Sequence, residues 1–128
     1  MAVRVLLVED LHNMHGVVLD LLNTVGDFEL AGAVATEAEA YLWLEENEGA
    51  WDLAILDLVL AQGTGLSVIS RARMTPDTQI AVFSEYVTDG IRAHCLAVGA
   101  DAVFRKGSQN GEFLQWCARL AQDELDPS

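Results

Sequence analysis

The chain has one lysine, two prolines, two cysteines and no apolar run near the ~20 residues that a membrane helix needs. The single lysine belongs to a wider shortage of positive charge: seven basic residues face twenty acidic ones, for a net charge of −13. Nucleic acid binding needs a basic patch that displaces counterions from phosphates, so this balance argues against direct DNA or RNA contact. The cysteines, Cys95 and Cys117, fall in apolar helical patterns outside any Cys-x-x-Cys spacing. They read as small buried hydrophobes, with no disulfide or metal site implied. Met1-Ala2-Val3-Arg4 has no basic segment followed by a cleavable apolar stretch, so no secretory signal is expected. A cytoplasmic protein with no membrane association is the expectation.

What is present is a globular balance, with 52% hydrophobic and 21% charged residues. The length suits one domain, and no repeat, low-complexity tract or linker divides residues 1–128. The central feature is Trp51-Asp52-Leu53-Ala54-Ile55-Leu56-Asp57-Leu58-Val59-Leu60. Such a run suits a parallel strand buried on both faces, with Asp57 where the strand should stop. An acid at that end faces the crevice in which open α/β sheets bind ligands.

Around it, strands and helices alternate. Val3 to Val8 (VRVLLV) forms the first strand, ended by Glu9-Asp10. Leu11, Met14, Val18, Leu21, Leu22 and Val25 then recur at helical spacing up to Gly26. Phe28 to Ala35 is a second strand, weakened by Gly32 and therefore an edge. Thr36 with Glu39 reads as a capping box for a helix through Tyr41, Leu42 and Leu44. Glu37, Glu39, Glu45 and Glu46 read as its solvated face. After Asp57, a Gly63-Thr64-Gly65 turn leads to a helix with Leu66, Ile69 and Met74 that stops before Pro76. Ile80 to Phe83 is the fourth strand, ending at Ser84. The fourth helix starts near Thr88, turns Ile91, Cys95 and Val98 inward and closes at Gly99. Asp101 to Phe104 is the fifth strand, followed by Arg105-Lys106-Gly107, and the last helix carries Phe113, Trp116, Cys117 and Leu120. The fold expected is α/β: a doubly wound, five-stranded parallel sheet with helices on both faces, in the flavodoxin-like order 2-1-3-4-5.

That order gathers Glu9, Asp10, Asp57, Ser84 and Lys106 at one sheet edge. Three crowded carboxylates repel one another and call for a hard cation with oxygen ligands, for which Mg²⁺ is suited. With charge neutralised, Asp57 becomes a nucleophile towards a phosphoryl group. Lys106 and the Ser84 hydroxyl would stabilise the equatorial oxygens of that group. Lys106 stands out because the other six basic residues are arginines, and a compact flexible charge suits this position better than a planar guanidinium. Taken singly, Asp10 reads equally as a helix cap, Asp57 and Ser84 as turn residues and Lys106 as a solvated cation. Their joint arrival at one edge favours a shared site. His12 and His15, three apart, read as surface or partly buried side chains.

The segments VRVLLVED, LAILDLVLAQGTGL, AVFSEY and GADAVFRKG resemble, in order and over essentially the full length, the receiver domain of two-component response regulators. The resemblance implies that Glu9, Asp10 and Asp57 bind Mg²⁺ and that Val59, two beyond the acceptor, adds a backbone carbonyl. It implies phosphorylation of Asp57 by a sensor histidine kinase, a phosphotransfer protein or a small phosphodonor, with Ser84 and Lys106 assisting. It also implies a signalling face including Arg92, His94, Val103 and Arg105 that phosphorylation reshapes. Three positions depart from the family pattern. Gly107 follows the lysine where proline in a cis bond is usual, which predicts a less rigidly set loop. Glu85 stands where a small residue is usual, and Val103 where an aromatic couples to the hydroxyl residue.

The expected function is a stand-alone receiver without an output domain, which signals through phosphorylation-dependent partner binding or phosphorelay and leaves a homodimer open. Its chemistry would be self-phosphorylation and slow autodephosphorylation, not enzymatic turnover. A binding-module alternative is a degenerate receiver that serves as a constitutive interaction domain. An aspartyl-nucleophile phosphatase is disfavoured, because such enzymes carry a second aspartate two residues on, where this chain has Val59.

Overall fold

Alternation along the strands sorts their side chains into two layers. In β3 (Leu53–Leu56) the inward faces differ residue by residue: Leu53 and Ile55 join one buried cluster, Ala54 and Leu56 the other. The same split runs through β1 (Val3–Val8), where Val3, Val5 and Leu7 face one way and Leu6 and Val8 the other. Both faces therefore need helical cover, which is why these strands read as continuous apolar runs.

The computed structural model describes residues 2–10 and 14–125, and the side chains of all of these but 14, 15, 124 and 125. Leu11 and His12 lie outside the described residues, as do the side chains of Met14 and His15. Besides β1 and β3, the elements are α1 (Met14–Leu22), β2 (Phe28–Val34), α2 (Glu37–Glu46), α3 (Gly65–Ala72) and β4 (Gln79–Ser84). They are completed by α4 (Asp89–Val98), β5 (Ala102–Arg105) and α5 (Asn110–Leu125). All strand pairs are parallel, in the order β2-β1-β3-β4-β5. Residues from α1 and α5 complete one core cluster, those from α2, α3 and α4 the other. This is the doubly wound, flavodoxin-like sheet expected from the alternating pattern.

Several helical expectations shift by a turn. α1 ends at Leu22, and Leu21 is 44% exposed while Val18 and Leu22 are buried. In α2 the buried positions are Ala40 and Leu44, leaving Tyr41 and Leu42 on the outside. α3 ends at Ala72, and Met74 lies beyond it at 74% exposure. In each case an apolar residue expected in the core lies outside it, and neighbours on the inner face of the same helix do the packing. The Thr36 cap is made, and Thr64, expected in a turn, and Thr88, expected near a helix start, cap as well. Thr36, Thr64 and Thr88 each accept a helix N–H, from Glu39, Leu66 and Ile91 respectively. The reciprocal half of the Thr36 capping box lands one residue early, with Glu39 accepting from Ala35 N at 3.4 Å. Gly99 closes α4 at φ 126°, a conformation that other residues reach only with strain.

Two features fix the sheet's ends. At the amino end of β3, Asp52 accepts Arg4 N at 2.8 Å and also bonds the Arg4 guanidinium, tying β3 to β1. Burial works against the charged Asp52 carboxylate, but these Arg4 bonds outweigh it and hold the carboxyl below its ordinary value. At the edge, β2 carries an irregularity opposite Val5 and Leu6, where Gly32 lies under the Trp43 indole. A Cβ at Gly32 would meet Trp43 Nε1 at 2.3 Å, so glycine is there to admit the ring. Cys95 and Cys117 are both free and buried, and burial pushes the Cys117 thiol up to about 12. No helix among the described residues is long and apolar enough to cross a membrane.

Among the glycines, Gly65 has the tightest surroundings: a Cβ there would stand 2.1 Å from the Asp57 carbonyl oxygen. Alanine would bring a better helix propensity of at most ~1 kcal/mol. The clash is with backbone and cannot be relieved by a rotamer. Gly65→Ala is therefore expected to destabilise the protein by about 1–3 kcal/mol, read as a lower urea midpoint. An unchanged midpoint would show that the two segments are not packed this closely.

Candidate functional site

The register of the sheet decides which side chains meet. Val8 pairs with Leu56, so the next residues, Glu9 and Asp57, leave adjoining strand tips side by side. Asp57 N donates to Val8 O at 2.9 Å and Glu9 N to Val34 O at 2.9 Å, which fixes both backbones. Across the sheet Ser84 pairs with Arg105, bringing Lys106 just past the end of β5. Lys106 N donates to Ser84 O at 2.9 Å.

Lys106 Nζ lies between two acids, 2.8 Å from Glu9 Oε1 and 3.1 Å from Asp57 Oδ2. Its ammonium also stands 5.6 Å from the centre of the Phe83 ring, which stacks on Phe113 at 4.2 Å. The other Asp57 oxygen, Oδ1, accepts the Ser84 hydroxyl at 2.8 Å and Val59 N at 3.3 Å. Ser84 is fully buried and Glu9 is 6% exposed, so these contacts are made largely out of water. Burial alone would lower the Lys106 pKa, but hydrogen bonds to Glu9 and Asp57 and the charge of both carboxylates outweigh it and raise it.

Glu9, Asp57, Ser84 and Lys106 thus converge as the strand order required. Asp10 follows Glu9 directly and is exposed; its reading as a helix cap depends on residues 11–13, which lie outside the described residues. Val59 follows Asp57 on the loop, with its side chain 51% exposed and an antiparallel bridge to Thr64. Among the described residues no group of three His, Cys, Asp or Glu side chains is drawn close enough to hold a metal. The donor set nevertheless fits a hard cation in its chemistry. It consists of oxygen atoms alone, and Glu9 and Asp57 share a single ammonium with Asp10 at the rim.

The departures from the family pattern have structural answers. Gly107 has φ 92°, and its N–H donates to Asn110 Oδ1 at 2.8 Å, while Gln109 N donates to Arg105 O at 2.9 Å. Hydrogen bonds and a left-handed glycine set this turn where a proline ring would otherwise do so. Val103 is buried on the α4 side, whereas Phe104 turns to the opposite layer against Phe113 and Trp116. Strand alternation makes this unavoidable: shifting the aromatic by one residue moves it to the other face. Glu85 is exposed at the lip of a cavity of about 240 Å³ that also meets Val18, Phe83, Lys106 and Phe113.

Two contacts were not visible in sequence. Glu37, read as part of a solvated face, accepts Thr64 N at 3.0 Å across the β3–α3 loop. That N–H, with Ser67, holds its carboxyl below the ordinary value. Arg105 bonds the Val87 carbonyl on the β4–α4 loop. Alternation from Phe104 would have placed Arg105 on the α4 side, but not its partner.

The raised Lys106 pKa has a pH consequence. A lysine whose folded pKa exceeds its ordinary 10.5 contributes stability that is complete below that value and disappears as pH rises through the folded one. Lys106→Met, without added metal, should cost about 1–3 kcal/mol at neutral pH. The gap to the wild type should narrow only above about pH 10.5. Urea melts at neutral and strongly alkaline pH measure it, and a gap that stays constant would refute the ion-pair origin.

The model of the response regulator receiver domain matches residues 5–117. Comparison with curated protein sequences gives no match. Among solved structures, a LuxR-family two-component response regulator from an Aurantimonas species superposes with a TM-score of 0.81 at 20% identity, covering 95% of this chain and 86% of that one. The response regulator domain of Thermotoga maritima CheB gives 0.79 at 20% identity, with 95% and 98% covered. The receiver domain of a Pseudomonas aeruginosa sensor histidine kinase, with a magnesium ion coordinated in its active site cleft, gives 0.73 at 22% identity, with 95% and 99% covered. At such identities these likenesses speak for the fold, and the family match adds the lineage: the chain belongs to the response regulator receiver domain family.

Proposed function

We propose that this chain is a phosphorylation switch whose acceptor is Asp57. The observation that carries the reading is the Lys106 ammonium held jointly by Glu9 and Asp57, with the Ser84 hydroxyl on the second Asp57 oxygen. A carboxylate oxygen of Asp57 attacks phosphorus, and the bond from phosphorus to the donor breaks. The electron pair leaves with the imidazole of a phosphohistidine or the acetate of acetyl phosphate. Lys106 and Ser84, already on Asp57, are placed to meet the equatorial oxygens as charge spreads over them. Glu9, Asp10, Asp57 and the Val59 carbonyl would hold Mg²⁺, which when bound supplies charge neutralisation between acceptor and phosphoryl group. The magnesium in the cleft of the Pseudomonas receiver supports that assignment.

The donor in this reading is a sensor histidine kinase, a phosphotransfer protein or a small phosphodonor in the cytoplasm. Residues 1–128 act as one receiver, and the output passes through a protein partner or onward transfer of the phosphoryl group. The chemistry is confined to the chain's own aspartate and its slow hydrolysis. A constitutive interaction module is the second reading, favoured by the aliphatic Val103 where the family couples an aromatic to the hydroxyl.

Acetyl phosphate with Mg²⁺ should add one phosphoryl group to the intact protein, measured by mass. Asp57→Asn should abolish that addition while leaving the circular dichroism unchanged. Equal labelling of wild type and mutant would remove Asp57 from the role.

A further inference from the structure

The connection from Ser84 to Val87 is gripped at both ends by two consecutive residues at the end of β5. Lys106 N takes the Ser84 carbonyl at 2.9 Å. Arg105 takes the Val87 carbonyl through Nε at 2.9 Å and through Nη2 as well. Only Glu85 and Tyr86 lie between the two anchors, and Tyr86 N reaches back to Ser84 Oγ at 3.4 Å. Ser84, the last residue of β4 and paired with Arg105, thus carries its hydroxyl at the root of a short loop whose far end the same Arg105 holds.

Arg105 is itself braced. Its backbone N–H donates to Gln109 Oε1 at 2.8 Å, and the same oxygen accepts Arg92 Nη2 at 2.6 Å. Arg92, in the first turn of α4, also donates to the Val103 carbonyl. Two arginines and one glutamine thus join the start of α4 to β5 on the layer where Val103 leaves no aromatic ring. A guanidinium donating twice to one carbonyl makes a charge-assisted contact that a neutral side chain could not replace.

We infer that Arg105 is a positioning residue for phosphoryl transfer at Asp57, acting through the Ser84 hydroxyl; the inference rests on the phosphoacceptor reading above. Arg105 touches neither acceptor nor phosphoryl group. It holds the Val87 end of the loop so that Ser84 Oγ stays aligned with Asp57 Oδ1. Loss of the contact frees the loop and misplaces the hydroxyl at the moment when it must meet a phosphoryl oxygen.

The test is the rate of labelling by acetyl phosphate and Mg²⁺ for Arg105→Ala, Arg105→Lys, Ser84→Ala and the Arg105→Ala/Ser84→Ala double variant of the full chain, with melting temperatures alongside. Arg105→Ala should slow labelling about tenfold, short of the ~100-fold that a 1 Å misplacement can carry. In the Ser84→Ala background the same substitution should change the rate by less than about twofold, because the positioned group is gone. Arg105→Lys, which keeps one charged donor, should recover part of the rate and serves as the readout if Arg105→Ala does not fold. Equal slowing in both backgrounds, or no slowing in either, overturns the positioning role while leaving Asp57 as acceptor. A wild-type protein that takes no label overturns both.

Discussion

One ammonium shared between two carboxylates governs the carboxyl edge of this sheet. Glu9 and Asp57 come from neighbouring strands whose register leaves no freedom to separate their tips. At close range, in surroundings poorer in water than the surface, their repulsion would be severe, and Lys106 relieves it from across the sheet. The lysine is aimed there with its ammonium over the Phe83 ring and its backbone bonded to Ser84. Core packing beneath the site, through Phe83, Phe113 and Phe104, is therefore also the device that aims the cation. Stability and chemistry draw on the same contacts here.

The two layers of the fold divide the work. On the α1 and α5 side lie the aromatic cluster, the lysine and the cavity at whose lip Glu85 sits. On the α4 side lie Val103, Arg92 and Arg105, where polar bonds to carbonyls replace ring packing. An aromatic at position 103 would link hydroxyl and surface by moving between two packed positions. Val103 offers no ring for such a movement, and the guanidinium of Arg105 instead ties the β4–α4 loop to β5.

Most of the fold was legible because it rests on periodicity and punctuation. The apolar strands, the Thr36 cap and Gly99 each encode one local conformation, and the sheet order is the commonest that right-handed crossovers allow. The polar cluster was legible for the same reason: Glu9, Asp57, Ser84 and Lys106 each stand where a strand ends. What escaped depends on side-chain reach across the chain. Met74, Leu42 and Leu21 carry apolar signals yet lie outside the core: Met74 falls beyond the end of α3, and Leu21 and Leu42 fall on outer helix faces. Glu37 looked like one acid among several on an exposed face, and only the returning β3–α3 loop gives it a partner. The grip of Arg105 on Val87 joins residues 18 apart through a carbonyl, and backbone acceptors have no signature in sequence.

Beryllofluoride, which mimics a phosphoryl group, tests the shared pocket most directly when followed by fluorine NMR during a Mg²⁺ titration. One set of bound resonances is expected, saturating with a single equivalent of protein, requiring Mg²⁺ and lost in both Asp57→Asn and Lys106→Met. Absence of bound resonances in the wild type, or their persistence without Mg²⁺ or without the lysine, would contradict a pocket in which these groups act together.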